Sequence, residues 1–201
     1  ISATRENRVV SVDFVKKVGE EANMPFAVGG GVKSLEDIRM LINAGAEKVI
    51  INTAAARNPN FIKKAADTFG SSTIVVCIDV KKKFFSGNVV WSNSGSKSSK
   101  YSPKDFAKLI EENGAGEIII QSINKDGTMS GYDLDLIKEI STTVTIPVVA
   151  LGGAGNLEHM IEEYTKGFAS ALAAGSLFVF QGPKKGVLIN YVENSDLSFF
   201  R

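Results

Sequence analysis

The chain has 201 residues, 44% hydrophobic and 22% charged, with 23 basic against 22 acidic side chains and a formal net charge of +1. That balance offers no clustered basic face for nucleic acid, and no apolar run reaches the roughly 18 residues a membrane helix needs. A single cysteine, Cys77, excludes an internal disulfide or multi-cysteine zinc site, and a single histidine, His159, argues against a histidine-rich metal centre or a Ser-His-Asp triad. With no signal peptide pattern, the expectation is a cytoplasmic protein without metal or cofactor.

Taken in chain order, residues 9–22 have helical spacing, with Val10, Phe14, Val15 and Val18 on one side. Residues 25–28 read as a short buried strand. Residues 34–44 read as a helix with a Ser34/Asp37 capping box and an apolar face of Leu35, Ile38, Leu41 and Ile42. Residues 48–51 read as a strand whose end carries the small residues Asn52, Thr53 and Ala54. Asn58-Pro59 opens a helix that runs to about residue 69. Residues 73–80 are continuously apolar, the pattern of a strand buried on both faces, and Cys77 reads there as a buried structural thiol. Lys81 to Lys83 read as a solvated strand end. An excursion over 83–101 contains a hairpin around Ser86-Gly87-Asn88 and a Ser/Lys-rich loop. Ser102-Pro103 starts the next helix, with Asp105 closing a second box. A strand over 117–121, a helix over 134–140, a strand over 146–151, a helix over 156–164 with His159 on its face, and a strand over 169–174 complete the series.

Six strands alternating with helices through short loops predict a parallel sheet. An internal repeat argues for a barrel rather than an open doubly wound sheet. A shift of 122 residues superimposes Pro25 on Pro147, Gly30-Gly31 on Gly152-Gly153, Leu35-Glu36 on Leu157-Glu158 and Gly45 on Gly167, without a gap. Two related blocks suit a (β/α)₈ TIM barrel built from two halves. Such a barrel takes about 250 residues. The expectation is therefore one barrel domain over 1–201, N-terminally incomplete, lacking the first strand, the first helix and most of the second strand. The opening ISATREN, which enters at a strand end or its loop, fits that reading.

In a (β/α)₈ barrel the functional loops follow the C-terminal ends of the strands. Both glycine clusters lie there. Glycine lets backbone N–H groups approach an anion, and the helix that follows adds its positive end. Gly30 and Gly31 with Asn52 and Thr53 would form one phosphate cup, and Gly152 and Gly153 with Ala174 and Gly175 a second. The plain alternative is a tight turn in each place. Two cups imply a ligand with a phosphate at each end, lying across the barrel mouth. Its reactive middle would then meet carboxylates. Asp79 ends the apolar strand, where a carboxylate needs a role or a partner. It is the candidate acid–base group, with an ion pair to Lys81 or Lys82 as the alternative. Asp126, in SINKDGTMSGYD, is either a further site residue, with Gly127 and Thr128 extending the second cup, or a plain Asp-Gly turn.

VGGGVKSLEDIRMLINAGAEKVIINTAA, VVCIDVKKK, GAGEIIIQSINKDGTMSGYD and LGGAGNLEH, in that order and spacing, closely resemble the cyclase subunit of imidazole glycerol phosphate synthase. The resemblance covers nearly the whole chain. It implies a half-barrel-duplicated (β/α)₈ fold, no cofactor, and a glutaminase partner that releases ammonia at the far end of the barrel. It also implies reaction of that ammonia with a bis-phosphorylated ribulosyl-formimino-carboxamide ribonucleotide (PRFAR). The products are imidazole glycerol phosphate and an aminoimidazole carboxamide ribonucleotide (AICAR). By motif, Asp79 matches one of two catalytic aspartates. The other belongs to a first-strand motif that this sequence does not contain. Gly31, Asn52 and Thr53 match one phosphate site, and Asp126, Gly127, Gly153, Ala174 and Gly175 the other. Lys48 and Glu117, which begin strands and so belong to the opposite rim, match two members of the charged gate for ammonia. By position alone they read as a surface salt bridge.

The sequence departs from the family at Asn124, where an aspartate is usual, at Leu151, where a serine is usual, and at Gln121, where threonine is common. The tail AGSLFVFQGPKKGVLINYV resembles paralogues found with amidotransferases that install amidino groups on surface-polysaccharide sugars. Three functions are therefore in view: a cyclase using Asp79, an ammonia-conducting subunit whose product chemistry lies on another protein, and a barrel that binds a phosphorylated ligand without catalysis.

Overall fold

The structure is a computed structural model. It describes residues 6, 8–22, 24–83, 87–182, 185–189, 191 and 199. Six parallel strands form one continuous sheet: β1 (Ala27–Gly29), β2 (Lys48–Ile51), β3 (Ile74–Lys83), β6 (Glu117–Ser122), β7 (Val148–Leu151) and β8 (Ala171–Ala173), in the order β1-β2-β3-β6-β7-β8. Each new strand is added on the same side of the last. A right-handed crossover repeated in one direction puts every connecting helix on one face. The other face is left to curl inward as a lumen. That order, and not only the repeat, separates this fold from a doubly wound sheet, in which the direction reverses. It is a partial (β/α) barrel.

The helices are α1 (Val12–Glu21), α2 (Leu35–Asn43), α3 (Thr53–Arg57), α4 (Asn60–Phe69), α5 (Pro103–Glu112), α6 (Leu134–Ser141), α7 (Leu157–Lys166) and α8 (Ser176–Val179). The core lies between them and the outer face of the sheet. Val49, Ile51, Ile74, Val76, Ile78, Ile118 and Ile120 are buried there against Ile38 and Leu41 of α2, Ile62 of α4, Phe106 and Ile110 of α5, and Ile137 and Ile140 of α6. Burial of β3 from Ile74 to Val76 and from Ile78 to Val80 matches the unbroken apolar run.

The predicted caps at Ser34 and Ser102 are present. Ser34 and Asp37 form the full reciprocal box, and Ser102 accepts from the Asp105 N–H while its hydroxyl donates to the Asp105 carboxylate. Other expectations need correction. The strand over 48–51 is observed with those bounds, but the residues after it, Thr53 and Ala54, open an unexpected short helix, α3. Pro59 sits at the N-cap of α4, one position earlier than proposed. Phe14, assigned to the apolar face of α1, is exposed, and only Val15 of that face is buried. The expected hairpin is present, though its strands are longer: β3 runs on to Lys83 and pairs antiparallel with β4 (Gly87–Ser92), which pairs with β5 (Lys97–Ser98). Gly87 and Asn88 are therefore strand residues, while Ser86 lies outside the described residues. Lys81 and Lys83 do not simply project into solvent: both ammonium groups lie over the Trp91 ring, at 5.2 and 5.7 Å.

Candidate functional site

Partners in a parallel register share a face, so the sheet registers give the lumen directly. From the N-terminal rim upward its layers are Lys48, then Ile50, Val75 and Glu117, then Asn52, Cys77, Ile119 and Val149, and finally Asp79, Gln121 and Leu151. Ile119 and Val149 thus stand between a charged rim and an acidic mouth that Asn52 and Cys77 also face. At the rim Lys48 and Glu117 form an ion pair that spans β3, the strand between theirs.

At the mouth lies a cavity of about 820 Å³. Its wall brings together Gly30, Gly31, Asn52, Thr53, Asp79 and Asp126 from four separate loops and strand ends. Gly31 has φ +74° and lies so close to the carbonyl of Arg8 that a Cβ would overlap it. Gly153, its counterpart after 122 residues, has φ +110° and meets the carbonyl of Gly131 in the same manner. Both turns therefore require glycine on steric grounds, quite apart from any ligand.

Asp79 is buried at 8% exposure and has no ion pair with Lys81 or Lys82. Burial pushes its carboxyl up to about 6. Contacts from the Asn52 amide and the Cys77 thiol pull it down, and the Asp126 charge raises it again. Cys77 is not a thiol lost in the core. It faces the cavity, with Sγ 3.7 Å from Asp79 Oδ1 and 4.0 Å from Gln121 Oε1. Burial, and then the Asp79 charge, push its pKa far up, so it is a neutral thiol and a donor. The Gln121 amide donates to Asp126 Oδ2 at 3.1 Å, so Gln121 and Cys77 together stand between the two carboxylates. A carboxyl poised near neutrality beside a second acid in a cleft suits proton transfer to and from a bound ligand.

Gly127, Thr128, Gly152, Gly153, Ala174 and Gly175 are not among the residues lining this cavity. The 126–128 loop nevertheless reaches the second glycine turn, since Gly152 lies beside Asp126. Thr128 turns its hydroxyl back to the Lys125 carbonyl, 2.7 Å away. Lys185 from the C-terminal segment donates to the Gly127 carbonyl at 2.9 Å, which puts a cation at this loop.

Sequence reading missed Lys185, and it missed Arg57 and Asn93. Arg57 and Asn93 line the cavity beside Thr53, and the Arg57 guanidinium donates to Asn93 Oδ1 at 2.8 Å. Arg57 follows Thr53 by four residues, a spacing that would have placed the two on one face had helix α3 been expected.

Six parallel strands added in chain order, helices on one face and a cavity at the C-terminal strand ends define a (β/α)-barrel domain with its site at the mouth. Its family follows from comparison: the family described as histidine biosynthesis protein matches residues 1–182, and the chain belongs to it. Imidazole glycerol phosphate synthase subunit HisF of Chlorobium phaeobacteroides is 46% identical over 184 residues, covering 90% of this chain and 72% of that one. The same subunit of Lachnoclostridium phytofermentans is 42% identical over 199 residues, 98% of this chain and 77% of the other. A Pseudomonas aeruginosa protein provisionally named imidazole glycerol phosphate synthase subunit hisF2 is 41% identical over 197 residues, 98% of this chain and 78% of its own length. No helix among the described residues is long and apolar enough to cross a membrane, and no group of three or more metal-ligating side chains occurs among them.

Proposed function

We propose that this chain is the cyclase subunit of an imidazole glycerol phosphate synthase. It would take ammonia from a glutaminase partner and convert PRFAR to imidazole glycerol phosphate and AICAR. The observation that carries this reading is the meeting of Asp79, Asp126 and the first glycine turn in one cavity. In this reading Asp79 is the acid–base group, its carboxyl lifted toward the working pH by burial. Gly30, Gly31, Asn52 and Thr53 hold one phosphate. Gly152 and Gly153 with Gly127, Thr128, Ala174 and Gly175 hold the other. Asp126, steadied by Gln121, faces the middle of the ligand. The lumen supports the ammonia route. Ile50 and Val75 lie level with Glu117, and Ile119 and Val149 lie between the Lys48–Glu117 pair and the mouth; neutral ammonia passes apolar side chains that disfavour ammonium.

The test is turnover of PRFAR by the intact protein with ammonium salt. Product from the natural sequence and none from Asp79→Asn is the expected result.

A second reading has its own support. Gln121 occupies Asp126 Oδ2, and Leu151 beside it adds an apolar group at the mouth. Both narrow the acid site, as would suit a subunit that conducts ammonia to chemistry performed elsewhere. No turnover with ammonium salt, combined with stimulation of a glutaminase, would favour this reading.

A further inference from the structure

We propose that Arg57 determines the ligand's charge at the first cup, where its guanidinium closes on a phosphate monoester dianion; the proposal rests on the reading of that cup as an anion site. Two contacts of one residue place the guanidinium there. The Asn93 N–H donates to Thr53 Oγ1 at 3.0 Å, and Asn93 Oδ1 accepts from Arg57 Nη2 at 2.8 Å. Asn93 therefore fastens both the hydroxyl of the cup and the cation beside it. It does so from the turn after β4, where Asn93, Ser94 and Gly95 are all left-handed, at φ 54°, 55° and 75°. Asparagine tolerates that conformation and serine adopts it at a cost. Asn93 and Ser94 line the cavity with Arg57, Gly31 and Thr53.

A guanidinium has five N–H donors. Arg57 uses one on Asn93 and forms no ion pair with a carboxylate among the described residues. It is held by a neutral amide oxygen, which fixes its direction and leaves its charge uncompensated beside backbone groups suited to an anion. The planar fork matches two oxygens of a phosphate, and a dianion gains more from it than a carboxylate or diester does.

The experiment is isothermal titration of the intact protein with inorganic phosphate at pH 8, where phosphate is mainly the dianion, alongside thermal melting of each variant. The natural sequence should bind phosphate at both cups. Arg57→Gln should weaken one of the two sites about tenfold or more, as loss of a charge-assisted contact predicts, with melting unchanged. Arg57→Lys, which keeps the charge and loses the fork, should fall between. Asn93→Gly keeps the left-handed turn and removes the amide that aims Arg57, so it should weaken the same site. Equal affinity in the natural sequence, Arg57→Gln and Arg57→Lys would overturn the role of Arg57 and leave the cups standing. No phosphate binding by the natural sequence would instead remove the cups, and the proposal with them.

Discussion

Asp37 and His159 hold equivalent places in the two halves of the chain, and each accepts backbone N–H groups at the entry to its helix. Asp37 Oδ2 accepts from Lys33 and Ser34, both at 2.9 Å, and His159 Nδ1 accepts from Gly155 at 3.2 Å. The caps correspond as well. Ser34 accepts from the Asp37 N–H and Asn156 from the His159 N–H. An imidazole thus does in one half what a carboxylate does in the other. Accepting at Nδ1 requires the Nε2–H tautomer. Asp37 is the more buried and satisfies two donors. Asp37→Ala should therefore cost about 1–2 kcal/mol, and His159→Ala about half that, in thermal or denaturant unfolding. His159→Asp should restore the second cap. Equal losses for both alanine variants would contradict this ranking.

Asp79 yields two linked predictions. Its carboxyl titrates near 6 in the folded chain, above the ordinary carboxylate range, so the native state binds the extra proton. Its stabilising contribution is complete below the unfolded value and is lost as pH rises through about 6. Asp79→Asn, which cannot ionise, should therefore be more stable than the natural sequence at pH 7, by about 2 kcal/mol, while losing turnover. The acid limb of kcat/KM should lie near 6 in the natural sequence. A profile flat between about 5 and 7 would remove Asp79 as the titrating group.

Much of this architecture was legible in the sequence, and the misses have physical causes. The six strands were marked by apolar runs between glycines and caps, and the barrel by the repeat, because both are periodic signals. The site was harder. Asp79 stood out as a charge ending an apolar run, but Cys77 looked like core, since alternation does not say which face of a strand looks into a lumen. Arg57 was invisible because helix α3 has only five residues, too short for a periodicity. Lys185 meets Gly127 across 58 positions of chain, and Asn93 reaches Thr53 across 40, so no local pattern announces either.

The rim pair can be separated from the mouth. Lys48 and Glu117 sit at the opposite end of the lumen from Asp79. Lys48→Met or Glu117→Gln should leave turnover with ammonium salt nearly unchanged and lower glutamine-dependent turnover. A pair that is only a half-exposed ion pair would instead shift stability by less than about 1 kcal/mol and leave the ratio of the two activities alone. Measuring both activities on each variant decides between these outcomes.

Glu163, on α7, is a fully buried carboxyl without a hydrogen-bond partner at either oxygen among the described residues. Burial, and then the charges of Asp133 and Glu162, push its pKa up to about 8. It is therefore mainly neutral at pH 7, and its contribution to stability is lost as pH rises through about 8. Glu163→Met, of similar length and apolar, should stabilise the protein by about 1–3 kcal/mol at pH 9 and by less at pH 6. Glu163→Gln should flatten the pH dependence without the full gain, because its amide would still lack partners. The carboxyl also lies against the Cα of Gly167, where a Cβ would overlap it. Gly167→Ala should consequently destabilise the natural sequence and be better tolerated beside Glu163→Ala. A double-mutant cycle on these two positions that gives no coupling would show the carboxyl to lie elsewhere.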